Sequence, residues 1–199
     1  IRDKHVTRVQ TCALPIFEKS GISKYSRHRL EHCLLPEKEA IQRMAELGVS
    51  PSFHINHLWY YGEALENHII GQERTGRILP LKAAENNSLI FSLHADQPMF
   101  ESDPLSLLHT AVNRKTRDGQ IVGKINKISV EQGLRSLTIN AAWQIKMENK
   151  IGSIKPGKYA DFVIIDQNPM MVAPEKIKDI RVLQTIVNEI GRASCRERV

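Results

Sequence analysis

HRLEHCLLPEKEAIQRMAELGVSPSFH, residues 28–54, decides the fold, because it reads as strand, helix and strand without interruption. His28–Cys33 is a short strand. Pro36 then stands where a helix opens and a missing N–H costs nothing. Ala40, Ile41, Met44, Ala45 and Leu47 recur at helical spacing, and Gly48 sits where a C-terminal glycine belongs. Val49–His54 is the second strand.

Working outward, the same alternation continues. Ile55–Gly76 reads as a loop rich in aromatic residues. A short helix at Leu81–Asn86 leads to a third strand, Leu89–Leu93, whose unbroken apolar character suits a strand covered on both faces. Pro104 opens a helix with Leu105, Leu108, Ala111 and Val112 on one side. Ser129 reads as an N-cap, with Gln132 completing a capping box for Val130–Leu137. Thr138 is a candidate cap for Ile139–Ile145. KPGK at 155–158 predicts a turn between two strands, the second being Ala160–Asp166. Asp179–Asn188 predicts a further strand. Three strand–helix units and a β-only tail indicate an α/β fold with a parallel sheet, whose chemistry belongs at the C-terminal strand ends.

Composition narrows the function classes. The chain has 199 residues, of which 41% are hydrophobic and 25% charged, as in an ordinary globular domain. No apolar run is long enough to span a bilayer, and no secretory signal opens the chain, so no membrane partner and a cytoplasmic location are expected. The net charge of +6 would suit nucleic acid. Residues 1–16 carry +2 of it and 189–199 carry +1, and 17–188 holds no dense basic tract. The expectation is therefore a solvated surface and no nucleic-acid partner. Cys12, Cys33 and Cys195 are odd in number and contain no CxxC, which argues against a disulfide framework. VQTCALPI (9–16) and GRASCRERV (191–199) continue no neighbouring pattern and look like translated sequencing adapter. Residues 1–16 and 189–199 are thus expected to be non-native and poorly packed.

Three places could carry chemistry. His32 closes the first strand, where it is either a metal ligand or a rim histidine bonded to a carbonyl. Asp96, just past the third strand, either handles the proton of a metal-activated water or forms an Asx turn before Pro98. His94 lines the same mouth or simply packs. SFHINHLWYYGE (52–63) crowds His54, Asn56, His57, Trp59, Tyr60 and Tyr61 together, as a ligand pocket or as a plug of the strand ends. No Gly-rich phosphate loop, nucleophile elbow or HExxH is present.

An ordered set of motifs runs over Arg27–Asn188. It comprises RHRLEHC (27–33), NHLWYYGEAL (56–65), FSLHADQP (91–98), DPLSLLHTAVNRKTRDG (103–119), KISVEQGLRSLTINAAWQ (127–144) and GSIKPGKYADFVIIDQNP (152–169). In these the chain resembles amidohydrolase family 3, in its N-substituted formamide deformylase-like branch. The resemblance implies a partial (β/α)8 TIM-type barrel, its last three strand–helix units at 17–150, followed by part of a small β-sandwich at 151–188. It implies His32 as a metal ligand, and Asp96 as a metal ligand and general base. Asn56, His57, Trp59 and His94 would fall in the substrate region. The implied cofactor is a divalent metal, Zn2+ foremost. The implied reaction is hydrolysis of a non-peptide C–N bond in a small amide, formamide or cyclic amide. The family's HxH of strand one, its strand-four lysine or glutamate and its strand-five histidine have no counterpart here, so the chain alone is expected to be inactive. Deamination by a superfamily relative and a non-catalytic binding module are the rival readings. A basic nucleic-acid binder is a third; metal content separates the first two from it, and turnover separates an enzyme from a binding module.

Overall fold

The computed structural model of the protein describes residues 13–187 and 190–193. Helix α1 (13–19) leads to β1 (Arg29–His32), α2 (Lys38–Leu47) and β2 (Ser50–His54). Then come α3 (Asn56–Ala64), α4 (Gly71–Thr75), α5 (Leu81–Asn86) and β3 (Ser92–His94). Strands β1, β2 and β3 form one parallel sheet in that order. Helices α6 (Pro104–Asn113), α7 (Val130–Leu137) and α8 (Ile139–Gln144) follow, then an antiparallel sheet of β4 (Phe162–Ile165), β5 (Val182–Val187) and β6 (Ile190–Ala193).

The strand–helix–strand segment forms as its pattern dictates. Ala40, Ile41 and Met44 turn the apolar side of α2 into the core, each 8% exposed or less. Burying a side chain the size of Ile or Met contributes about 1.5–3 kcal/mol. Gly48 ends α2 at φ 67°, and a Cβ there would lie 2.7 Å from the Lys24 carbonyl oxygen. Both the left-handed backbone and the close approach require glycine. The chain then enters β2, whose Phe53 packs edge-on to Phe91 at 5.6 Å between ring centroids. Asp103 caps α6 through the Leu105 and Ser106 amides, with Pro104 in the first turn. Ser129 caps α7 through the Gln132 amide at 3.1 Å.

Several expectations are corrected. Residues 55–76 are helical, not a loop: α3, a five-residue π turn (Leu65–Ile69) and α4 occupy them. The inward side of α3 is Asn56, Leu58 and Gly62, so no apolar stripe marks the helix in the sequence. The third strand begins at Ser92, although Leu89 and Phe91 before it are buried as expected. Thr138 stands at the N-cap position of α8 but makes no side-chain capping bond; its hydroxyl donates to the Leu134 carbonyl at 2.7 Å. The turn at KPGK precedes a strand but does not follow one among the described residues.

Where they are described, the two ends pack, contrary to the expectation of poor packing. Leu14 is fully buried in the main core, and Phe17 stacks on His28 at 5.1 Å. The apolar residues of ALPIF give a short helix something to bury. At the other end, β6 pairs with β5, Val187 opposite Ile190 and Gln184 opposite Ala193. A strand edge offers unpaired N–H and C=O groups to any extended segment, whatever its side chains. Residues 1–12 and 194–199 lie outside the described residues.

Candidate metal centre

Strand alternation makes one face of the parallel sheet polar. Ser50, Ser52 and His54 share a side of β2, and Ser92 and His94 share a side of β3. The register sets Ser52 beside Ser92 and His54 beside His94. Phe53 and Leu93 point the other way, into the apolar core. At the end of β1, His32 and Cys33 take left-handed backbones, φ 65° and 44°. The Cys33 amide bonds back to the Glu31 carbonyl at 2.8 Å. Non-glycine residues seldom occupy this region, and such strain gathers at functional sites. The turn swings the His32 ring towards the ends of its neighbours.

Three histidines meet there. His32, His54 and His94 each offer a ring nitrogen, and the three atoms lie within 4.8 Å of one another. His94 Nε2 is 3.3 Å from His32 Nδ1. The His54 ring lies 5.1 Å from that of His94, nearly parallel, and 5.5 Å from that of His32. His57 joins from the first turn of α3, its ring 4.1 Å from that of His54.

Burial favours the neutral form of three of these rings, His54, His57 and His94. Burial, reinforced by the neighbouring histidines, pushes His54 down to about 4, with Asp96 opposing. Burial likewise lowers His57 and His94 from the ordinary histidine value, and the Asp96 carboxylate opposes both shifts. A neutral imidazole is the form that ligates a metal. Cys33, the one described cysteine, is no rival donor: burial foremost, then Glu31, holds its thiol up at about 12.

The donor set fits a divalent cation. His54 Nε2 lies 3.2 Å from the Ala95 carbonyl, which can only accept, so Nε2 carries the hydrogen. His54 Nδ1 is then a bare lone pair, buried and without a hydrogen-bond partner. Such an atom needs a reason to exist, and a cation supplies one. Two nitrogens about 2.0–2.1 Å from one tetrahedral zinc would stand roughly 3.4 Å apart, close to the His94–His32 separation. Three protein ligands with an open position is the usual catalytic arrangement.

The other residues singled out by sequence lie around this group. Asp96 follows Ala95 at φ 57° and is exposed; its carboxylate bears on three of the histidines but is not in the three-nitrogen group. His57 is half-buried with an unpartnered Nδ1. Asn56 and Trp59 line a cleft with Tyr60, Glu101, Asp103 and Ser106. Trp59 meets His109 edge-on at 5.8 Å, and Lys178 Nζ lies 5.6 Å from its ring centre. Phe100 stacks on Tyr60 at 4.6 Å and reaches the His54 ring at 5.3 Å, so an apolar wall borders the histidines. His54, which the sequence places only among the crowded residues of 52–63, is a member of the three-nitrogen group. His94, expected in the substrate region, lies against His32. The signal that could have found both is that each ends its strand on the same face as the serines before it.

Beneath the histidines the polar face is tied to α8. Gln144 Nε2 donates to Ser50 Oγ at 2.6 Å and to the Pro51 carbonyl at 2.9 Å. Ser92 Oγ donates to Gln144 Oε1 at 2.6 Å and lies 3.1 Å from Ser52 Oγ. Ser52 Oγ is 2.7 Å from His94 Nδ1.

Comparison with known proteins agrees with this picture. A family model described as "Amidohydrolase family" matches residues 6–189. The chain is 27% identical over 164 residues to N-substituted formamide deformylase of Arthrobacter pascens, covering 82% of this chain and 30% of that protein. A metal-dependent hydrolase from Pyrococcus horikoshii OT3 shares the fold, with a TM-score of 0.69 at 24% identity over 81% of this chain and 32% of that one. An adenosine deaminase from Xanthomonas campestris, solved with bound zinc, shares it at 0.61 and 20% identity, over 86% of this chain and 38% of that one. The chain spans about a third of the length of these relatives.

Proposed function

The chain belongs to the amidohydrolase family, and on that premise we propose that it supplies part of the metal centre and substrate cleft of an enzyme that hydrolyses a non-peptide C–N bond. The observation that carries the reading is the meeting of His32, His54 and His94 at the C-terminal end of a parallel sheet. That end is where α/β folds of this kind place their chemistry. The parallel sheet is read as the last three strand–helix units of a (β/α)8 barrel, within 17–150. The antiparallel sheet is read as part of a small β-sandwich, within 151–188.

His32, His54 and His94 would hold the ion, zinc by the donor type, with Asp96 beside them. When bound, such a cation polarises a substrate carbonyl and makes water a better nucleophile. Asp96 accepts the proton of the attacking water on its carboxylate and returns it to the leaving nitrogen. Its exposed position beside the histidines suits that exchange. Asn56 and His57 offer directional polar contacts. Trp59, with Tyr60 and Phe100, offers an apolar surface for an amide, formamide or cyclic amide substituent. Taken alone, the 199-residue chain is proposed to bind the ion without turnover. Among the described residues, β1 and β3 are both open edges of the sheet, and catalysis needs reacting groups held rigidly.

The test is to express both the chain and the longest reading frame that contains it, load each with zinc, and assay N-formyl amines, N-acyl amines, cyclic amides and aminopurines. Amide hydrolysis by the longer protein is expected, falling by roughly 10²–10⁴ in Asp96→Asn while bound zinc is retained. Turnover of aminopurines alone would replace this reading with deamination. Bound zinc with no turnover of any substrate would point to a binding module.

A further inference from the structure

The hydrogen bonds beneath the histidines run in one direction, and that direction chooses the tautomer of His94. The direction is set at Gln144. The Pro51 carbonyl can only accept, so the nitrogen of the Gln144 amide must face it, and Oε1 must face Ser92. Oε1 also only accepts, so at 2.6 Å the single hydrogen of the Ser92 hydroxyl lies between them. Ser92 then has no hydrogen left for Ser52, 3.1 Å away, so Ser52 donates to Ser92. Ser52 has in turn spent its hydrogen, and the 2.7 Å contact with His94 is completed only if Nδ1 carries one. Ser50 accepts from Gln144 and donates to the Ile90 carbonyl at 2.5 Å. Every hydrogen thus points away from His94, and the series ends on the backbone carbonyls of Pro51 and Ile90. Ser50, Ser52, Ser92 and Gln144 are all at least nine-tenths buried, so water offers no alternative partner.

We propose that Gln144, acting through Ser92 and Ser52, is a positioning residue that fixes His94 as the Nδ1–H tautomer and so presents its Nε2 lone pair to the cation. The proposal rests on the metal-centre reading for its purpose, but not for its logic. His94 Nε2 faces His32 Nδ1 at 3.3 Å. Without an ion, His32 donates to it; an ion takes the place of that hydrogen. Had His94 carried its hydrogen on Nε2, the ring would offer the ion an N–H. Outer partners that set a ligand's tautomer typically change metal affinity by roughly 10- to 100-fold.

The experiment is a long-range proton–nitrogen correlation of the imidazole rings in the metal-free 199-residue chain at pH 7.5, with His94 assigned by its loss in His94→Gln. A protonated Nδ1 and a bare Nε2 are expected for His94. Ser92→Ala frees the Ser52 hydrogen to bond Nδ1, so an Nε2–H population should appear and cobalt(II) affinity should fall roughly 10-fold or more. Ser92→Thr, which keeps the hydroxyl, should restore both. An Nε2–H signal in the wild-type chain overturns the proposal. So does a folded Ser92→Ala whose His94 spectrum and cobalt affinity match the wild type. If Ser92→Ala does not fold, the wild-type spectrum decides alone. An Nδ1–H spectrum in a chain that binds no cobalt(II) or zinc upholds the relay and removes the metal centre instead.

Discussion

Replacing His54 by leucine should leave the metal-free protein about as stable as before and remove most of its response to zinc. His54 is fully buried, yet it makes one hydrogen bond, to the Ala95 carbonyl, and leaves Nδ1 without a partner. Losing that bond leaves the buried Ala95 carbonyl without the His54 N–H, at a cost of about 1–3 kcal/mol, while removing the buried unsatisfied Nδ1 gains about 1–3 kcal/mol. The two nearly offset, for a net change within about 2 kcal/mol of zero. Truncating an ordinary large core side chain costs about 2–5 kcal/mol. In the wild type, free zinc at about 100 times its dissociation constant should add about 2.7 kcal/mol. For a chain of this size that raises Tm by roughly 5–11 °C. If loss of a ligand weakens binding about 100-fold, the same zinc concentration adds only about 0.4 kcal/mol to His54→Leu. Thermal melts by circular dichroism at pH 7.5, in chelator and in buffered zinc, measure both quantities. A variant that keeps the full zinc shift, or that loses more than about 3 kcal/mol without metal, would show that His54 is an ordinary core residue.

Further outcomes are expected. Leu14→Ala should cost about 2–4 kcal/mol in urea melts, because Leu14 is fully buried; a loss below about 0.5 kcal/mol would mean that this segment does not pack. Gly48→Ala should cost at least about 1–2 kcal/mol for the left-handed backbone alone, and more for the Cβ placed 2.7 Å from the Lys24 carbonyl oxygen; an unchanged urea midpoint would sink that claim. Metal-free stability should fall with acid. Burial, with Lys178 and Lys115 assisting, holds His109 at about 4, and burial holds His54 there too. Both folded values lie below the unfolded value, so unfolding takes up protons. Their contribution is complete above pH 6.5 and disappears as the pH falls towards 4. Urea midpoints from pH 7.5 to 4.5 should decline, and less steeply in His109→Gln.

The fold was legible where one face of an element is apolar. α2 shows its stripe and its terminal glycine, α6 shows the proline of its first turn, and α7 shows its serine cap. α3 was not legible: it buries Asn56 and Gly62 and leaves Tyr60 and Tyr61 partly exposed, which reverses the usual pattern. Of the site, His32 was legible because it closes a strand. The partnership of His54 with His94 depends on the register of two strands 40 residues apart in sequence. Gln144 was further from reach. It ends α8 as an unremarkable polar residue, and only packing brings it to Ser50 and Pro51, more than 90 residues earlier in the chain. Local spacing records which side of an element a residue occupies, but not which other element waits there.

The alternation along β2 and β3 has a consequence for how the chain finds its fold. Ser52 and His54 alternate with Phe53 on β2, and Ser92 and His94 flank Leu93 on β3. A slip of one residue in either strand exchanges its two faces. It would drive hydroxyls and imidazoles into the space filled by Phe91, Ile41 and Met44, and turn Phe53 or Leu93 towards Gln144, whose amide would then lose Ser50 or Ser92 as a partner. Parallel pairing is formed late and over long loops, where misaligned partners are the common error. Here the misaligned states are penalised by the same serines and histidines that would serve the ion. Substitutions that make this face apolar, in search of stability, would therefore erode the uniqueness of the native alignment together with the chemistry.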